Sequence, residues 1–244
     1  MIQDYTLYTD ADQCVWRELY QRQIKQIHLY ASTAYIAGMD SCGFSADRIP
    51  VISDVNKRLL NITGWQIEIV PGLIDNASFF ELLAQKKFPA STWLRKIEAL
   101  DYLEEPDMFH DVLGHVPLLA NKDFCGFLEK LGQIALLHIG NNDTIESLSR
   151  IYWYTVEFGL IEEDKALKIY GAGILSSSGE TYYSLHSNIP KRIPYHLSEV
   201  LQTPYIKDKF QVQYFIIPSY KHLYDSLEEL EAILQLESFH IGLG

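Results

Sequence analysis

Residues 106–117 read PDMFHDVLGHVP, and the rest of the chain is best understood outward from them. Pro106 suits the first residue of a helix, and Asp107 suits its first turn, where a carboxylate meets the positive end of the helix dipole. Gly114 weakens this helix and Pro117 forbids its continuation, so it has to be short. His110 and His115 stand five apart, which separates them by roughly 140° on an ideal α-helix. They are therefore not the same-face pair of an H-E-x-x-H zinc peptidase. For both to meet one ion, the helix must end or distort between them. Taken alone, such a pair is better read as two unrelated histidines at a helix end.

A third residue changes that balance. Glu157 lies in IYWYTVEFG, an apolar and aromatic stretch where an unpaired carboxylate is expensive to bury. It is either a salt-bridged or partly exposed glutamate near a helix end, or a ligand whose charge an ion offsets. Two neutral imidazoles and one carboxylate leave a divalent ion near +1 with about three open positions, the facial triad of non-haem iron(II) oxygenases. The same donors can hold a hydrolytic zinc, so chemistry alone leaves both open.

The flanking segments predict a helical frame. Asp12 to Gly38 reads as one long helix, with Trp16, Leu19, Tyr20, Ile24, Ile27, Ala31, Ala34 and Tyr35 at helical steps and Gly38 as its stop. Ser53 caps a second helix that ends near Gly64. Gln66 to Val70 alternates as a strand before Pro71-Gly72, and Ser78 to Gln85 is a short helix followed by an irregular stretch at Phe88-Pro89. Asn121 opens a helix to about His138, Thr144 caps the helix carrying Tyr152, Trp153 and Glu157, and Gly159 stops it. Phe210 to Ile217 is a strand, and Ser219 begins a terminal helix. The expected fold is α+β, predominantly α-helical, a single compact catalytic domain over 1–244 with a few short strands.

Composition narrows the function. The 244 residues are 48% hydrophobic and 21% charged, enough to build a core without help from a metal. A formal net charge of −12 with no basic run disfavours nucleic acid. Cys14, Cys42 and Cys125 are odd in number and scattered, which fits reduced thiols in a cytoplasm. The acidic, aromatic start MIQDYTLYTD is no signal peptide, and no apolar run is long enough for a membrane span.

Four ordered segments, GWQIEIVPGLI, DYLEEPDMFHDVLGHVPLL, IYWYTVEFGL and YGAGILSSSGE, together resemble the catalytic domain of the pterin-dependent aromatic amino acid hydroxylases, especially their bacterial branch. The likeness runs from about Ile52 to Phe215. It implies Fe(II) held by His110, His115 and Glu157, and a reaction that couples O2 to a tetrahydropterin and hydroxylates the ring of an aromatic amino acid. It implies a pterin site from Pro71 to Phe79, with Gly72, Leu73, Ile74 and Asn76 lining it, Phe79 stacking on the pterin and Asp111 beside it. For the substrate it implies Arg95 on the carboxylate, oriented by Asp107. Pro106, Trp153 and Phe158 would hold the ring, beside a loop of Gly173, Ser176 and Ser177 in which Ser176 bonds His110. Asp111 stands where a glutamate is usual and Pro89 where a histidine is, which leaves the outer pterin contacts open. Trp153 favours phenylalanine or tyrosine over tryptophan, and the bacterial character favours phenylalanine to tyrosine. Only about fifty residues precede the core, as a helical extension, and no heptad tail follows. A monomer without regulatory or tetramerisation parts is therefore expected. The rivals are a zinc hydrolase on the same triad and a metal- or pterin-binding protein without catalysis.

Overall fold

The apolar repeat that begins at Trp16 runs through two helices, not one. The computed structural model describes residues 1–100 and 105–241, with side chains up to 236. Helix α1, Asp10–Tyr30, opens on a reciprocal cap between Thr9 and Asp12. Ala31 then pairs with Ile169, and the Ser32 N–H donates to the Ile169 carbonyl at 2.8 Å. Ser32 Oγ accepts the Tyr35 N–H and so starts α2, Thr33–Cys42. A long-range strand contact and a serine cap thus break a helix that periodicity alone continues. Gly38 is no terminator. It lies inside α2, where a Cβ would collide with the Pro117 carbonyl, and the left-handed stop is Gly43 at φ +73°.

Helix α3, Ile52–Ile62, is not capped by Ser53. The Ile52 N–H instead finds Gln3 Oε1 at 2.9 Å, so the N-terminal arm supplies the cap. Strand β1, Gln66–Ile69, and helix α4, Asn76–Ala84, fall where expected. The stretch around Phe88-Pro89, read as irregular, is strand β2, Lys87–Ala90, parallel to β1. Proline is tolerated there because a two-stranded sheet is all edge. Helix α5, Lys122–Leu137, starts at Asn121 as expected, while α6, Asn142–Tyr152, is capped by Asn141, whose side chain takes two N–H groups, and not by Thr144.

Strands β3, Leu160–Glu163, and β4, Ala166–Ile169, form a hairpin through Asp164 and Lys165, both at positive φ. Then come α7, Ala172–Leu175, α8, Ser178–His186, β5, Lys191–Pro194, α9, Leu197–Gln202, β6, Gln213–Ile217, and α10, Tyr220–Ile241. The second sheet runs β4-β3-β6-β5. Strand β6 begins later than Phe210, because Phe210 packs on Tyr183 and Gln211 turns its side chain to Trp153. One cluster of buried residues extends from Val15 to Leu234, so the helices and both sheets share a core. No helix among the described residues is long and apolar enough to cross a membrane.

Candidate metal centre

The distortion that the two histidines require is a π-helix. Residues Phe109–His115 form a π-helical segment, and Trp153–Glu157 form a second at the end of α6. In the second, the Phe158 N–H reaches back five residues to the Trp153 carbonyl at 2.9 Å. A helix that closes i to i+5 bonds stacks residues five apart, as an α-helix stacks residues four apart. His110 and His115 thereby come to one face. The helix starts later than Pro106, which lies outside it. Asp107 caps instead, accepting the His110 N–H at 3.1 Å. Tyr35 of α2 donates its hydroxyl to the Leu113 carbonyl within the wide turn.

His110, His115 and Glu157 each offer a ligand atom, and these atoms lie within 4.8 Å of one another. The two Nε2 atoms are 3.2 Å apart, His115 Nε2 is 3.2 Å from Glu157 Oε1, and His110 Nε2 is 3.6 Å from Glu157 Oε2. Ser176 decides which tautomer His110 adopts. Its hydroxyl donates to the Ala172 carbonyl at 2.8 Å, so its oxygen accepts from His110 Nδ1–H at 2.9 Å. The lone pair of His110 Nε2 then faces the Glu157 carboxylate. Two acceptors in that position fit a cation between them.

The electrostatics agree. Burial holds the His110 imidazole below its usual pKa, and the Glu157 charge only partly offsets this. The 3.6 Å contact is therefore no ion pair of a charged imidazolium. Burial pushes the Glu157 carboxyl up, but neighbours that include His115 and the Gly173 N–H hold the group below its usual range. Neutral His110 and an ionised carboxylate are the states that a divalent ion needs. Phe88 covers His115 at 4.7 Å between ring centres, with Tyr152 stacked at 6.4 Å.

Around the cluster, Arg95 and Asp107 form a buried bidentate pair. Nε donates to Oδ2 at 2.9 Å and Nη2 to Oδ1 at 2.8 Å, while the Arg95 backbone N–H also reaches Oδ2. Nη1 donates to the Leu100 carbonyl at 3.3 Å, which leaves one N–H on each Nη for another group. Trp153 has Phe158 at 4.8 Å and Tyr205 stacked at 4.8 Å and 26°. A Cβ on Gly173 would press on Phe158 and on the Glu157 carbonyl. Ser177 caps α8 by accepting the Glu180 N–H.

Phe79, half-buried on α4, meets Tyr152 edge-on at 5.1 Å, and so reaches the cluster through one ring. Gly72, Leu73 and Ile74 lie on the loop before α4 and Asn76 in its first turn, all at least partly exposed. Asp111 accepts the Ser91 N–H at 2.8 Å, just past the end of β2. Residues 101–104, at the start of the DYLEEPDMFHDVLGHVPLL segment, lie outside the described residues. Reading by motif passed over Tyr152, Tyr205, Glu180 and Gln211. Tyr152 has a sequence signal, its place beside Trp153, and Glu180 closes the YGAGILSSSGE segment on α8, whereas Tyr205 and Gln211 come from a distant loop. A surface cavity of about 480 Å³ lined by Thr33, Asp123 and Lys221 contains none of the ligand residues, so donor chemistry and not concavity locates the site.

Two imidazoles and a carboxylate brought together in this way could hold a single divalent ion, the donor set that serves iron oxygenases. Comparison with known proteins narrows this. The sequence model of the biopterin-dependent aromatic amino acid hydroxylases matches residues 4–241, and the chain belongs to that family. It is 44% identical over 240 residues to the phenylalanine-4-hydroxylase of Ralstonia nicotianae, covering 96% of this chain and 76% of that one. Phenylalanine hydroxylase of Chromobacterium violaceum with iron(III) and oxidised 7,8-dihydrobiopterin superposes with a TM-score of 0.92 at 42% identity, over 98% of this chain and 86% of the other. The iron- and phenylalanine-bound form of that enzyme gives 0.88 at 42% identity, over 93% and 81%.

Proposed function

We propose that this chain is a monooxygenase that converts phenylalanine to tyrosine using O2, Fe(II) and a tetrahydropterin. The observation that carries the reading is the facing pair of acceptors, His110 Nε2 and Glu157, completed by His115 on the same π turn. Iron held there supplies the redox chemistry by which O2 and the reduced pterin together oxidise an aromatic ring. The protein's part is to bind and orient. Arg95, held rigid by Asp107, presents its two remaining N–H groups to the substrate carboxylate. Pro106, Trp153 and Phe158 grip the ring, and the loop of Gly173, Ser176 and Ser177 closes beside it. Ser176 keeps the His110 lone pair directed at the metal.

Phe79 stacks on the pterin, with Gly72, Leu73, Ile74, Asn76 and Asp111 around it. Its contact with Tyr152, which in turn stacks on His115, supports a pterin lying next to the metal. The enzyme acts as a single catalytic unit, monomeric and cytoplasmic. The shared core supports the single catalytic unit, and three cysteines that are all free, with burial pushing the Cys42 and Cys125 thiols up to about 12, support a reducing compartment. The test is a product assay with phenylalanine, tyrosine and tryptophan side by side, with iron or zinc. Tyrosine formed from phenylalanine with iron and tetrahydropterin is expected; hydrolysis with zinc, or no turnover with a fully iron-loaded chain, contradicts the proposal.

A further inference from the structure

The largest ring in the aromatic pocket is oriented from outside it. The Trp153 indole N–H donates to Gln211 Oε1 at 3.1 Å, while the ring face lies on Tyr205. Gln211 is only 2% exposed although it sits in the irregular stretch between α9 and β6. Its amide is fully committed: Nε2 donates to the Ile206 carbonyl at 2.8 Å and to the Lys209 carbonyl at 3.3 Å. An indole N–H can only donate and a carbonyl can only accept, so the amide has one possible orientation.

The Gln211 backbone is pinned as well. Its N–H donates to Glu180 Oε1 at 3.1 Å, and the same oxygen accepts the Tyr214 hydroxyl at 2.7 Å. Glu180 is buried on α8, three residues after Ser177. The stretch from Tyr205 to Gln211 is thus tied at one end to the ring pocket. At the other it is tied to the helix that follows the Ser176 loop.

We infer that Gln211 is a positioning residue for substrate recognition: it fixes the plane of Trp153 and so the shape of the slot that accepts the amino acid's ring. Glu180 holds Gln211 in place. This rests on the proposed function, in which Trp153 grips the ring. If Gln211 served only to close its own loop, its loss would weaken the fold without acting through the indole.

The experiment compares wild type, Q211M (similar size, no acceptor), W153F (aromatic, no N–H) and the double variant, all iron-loaded. The indole ¹⁵N–H signals of Trp16, Trp65, Trp93 and Trp153 are recorded, with KM for phenylalanine and for the pterin. Q211M is expected to shift the Trp153 signal and speed its exchange with solvent while leaving the other three in place. It should raise the phenylalanine KM by about 3- to 10-fold, the scale of one neutral hydrogen bond. Iron content and pterin KM should hold. In the W153F background, adding Q211M should change the phenylalanine KM by less than about 2-fold, because the bond is already gone. Q211N, with the same amide one methylene shorter, should reproduce the Trp153 shift if Q211M folds poorly. An unmoved Trp153 signal overturns the inference, and so do two substitutions whose KM effects simply multiply. A wild-type chain that does not turn over phenylalanine defeats the functional reading instead, and the indole signal still decides the role of Gln211.

Discussion

Replacing Arg95 separates its pairing with Asp107 from its proposed hold on the substrate carboxylate. Three of its N–H groups are spent on Asp107 and the Leu100 carbonyl, and the proposal assigns the other two to a substrate carboxylate. Lysine keeps the charge but offers a point donor on a flexible stem, so Arg95→Lys should bind phenylalanine worse. Losing a hydrogen bond between charged groups costs about 1.5 to 3 kcal/mol, a roughly 10- to 150-fold rise in KM. Arg95→Ala does something further. Asp107 is 0% exposed and Arg95 8%, so the alanine variant leaves a buried carboxylate without its ion partner. Breaking such a pair costs about 3 to 5 kcal/mol, which lowers Tm by roughly 6 to 20 °C in a chain of this size. Removing the stranded charge too, as in Arg95→Ala/Asp107→Asn, should recover part of that loss.

The assay is steady-state turnover of phenylalanine and phenylalanine amide by Arg95→Lys, with thermal melts and iron content alongside. The amide lacks the carboxylate, so wild type should use it poorly and Arg95→Lys should penalise it little further. Equal losses on both substrates would refute the carboxylate contact and leave Arg95 a structural partner of Asp107.

Three other substitutions test neighbouring parts. Ser176→Ala frees His110 Nδ1 and should weaken iron binding by about 10- to 100-fold, measured by competition with a chelator; unchanged affinity would mean that Ser176 does not control the imidazole. Phe79→Ala should raise the pterin KM far more than the phenylalanine KM, and equal effects would make Phe79 ordinary core. Burial pushes the Glu180 carboxyl up, only partly offset by Tyr214 and the Gln211 N–H. The native state therefore binds this proton more tightly than the unfolded chain. That stability is present below the ordinary carboxylate range and is lost as pH rises through the raised pKa. Glu180→Gln keeps an acceptor without the charge, so Tm of the variant relative to wild type should climb with pH across that window. A flat difference would show that Glu180 ionises at no cost.

The candidate metal donors, which the structure brings together, are legible in the sequence because their chemistry is dense: two histidines on a helix that cannot continue past Pro117, and a carboxylate among aromatic residues. Legible too is that the helix between the histidines must deform, though not that it deforms by widening into a π turn. That choice depends on partners such as Tyr35, which reaches the Leu113 carbonyl from far along the chain. The misread elements share this cause. Helical spacing persists through Ala31 and Ser32, and only pairing with Ile169 interrupts it. Phe88-Pro89 becomes a strand because β1 lies beside it, and the β3–β4 hairpin turns on Asp164-Lys165 without the glycine that would announce it. Glu180 closes the YGAGILSSSGE segment without announcing its partners, and Gln211 carries no motif. Their partners are tens of residues away, and only the fold brings them to Trp153.

The most direct test of the central claim is metal content after anaerobic reconstitution with Fe(II), measured by elemental analysis on wild type, His110→Ala, His115→Ala and Glu157→Ala. Circular dichroism on the same samples checks the fold. Because the core is large without the metal, all four chains should fold, with a single tightly bound iron in wild type and almost none in each variant. A folded variant that retains iron at the wild-type level would strike that residue from the centre and contradict the account.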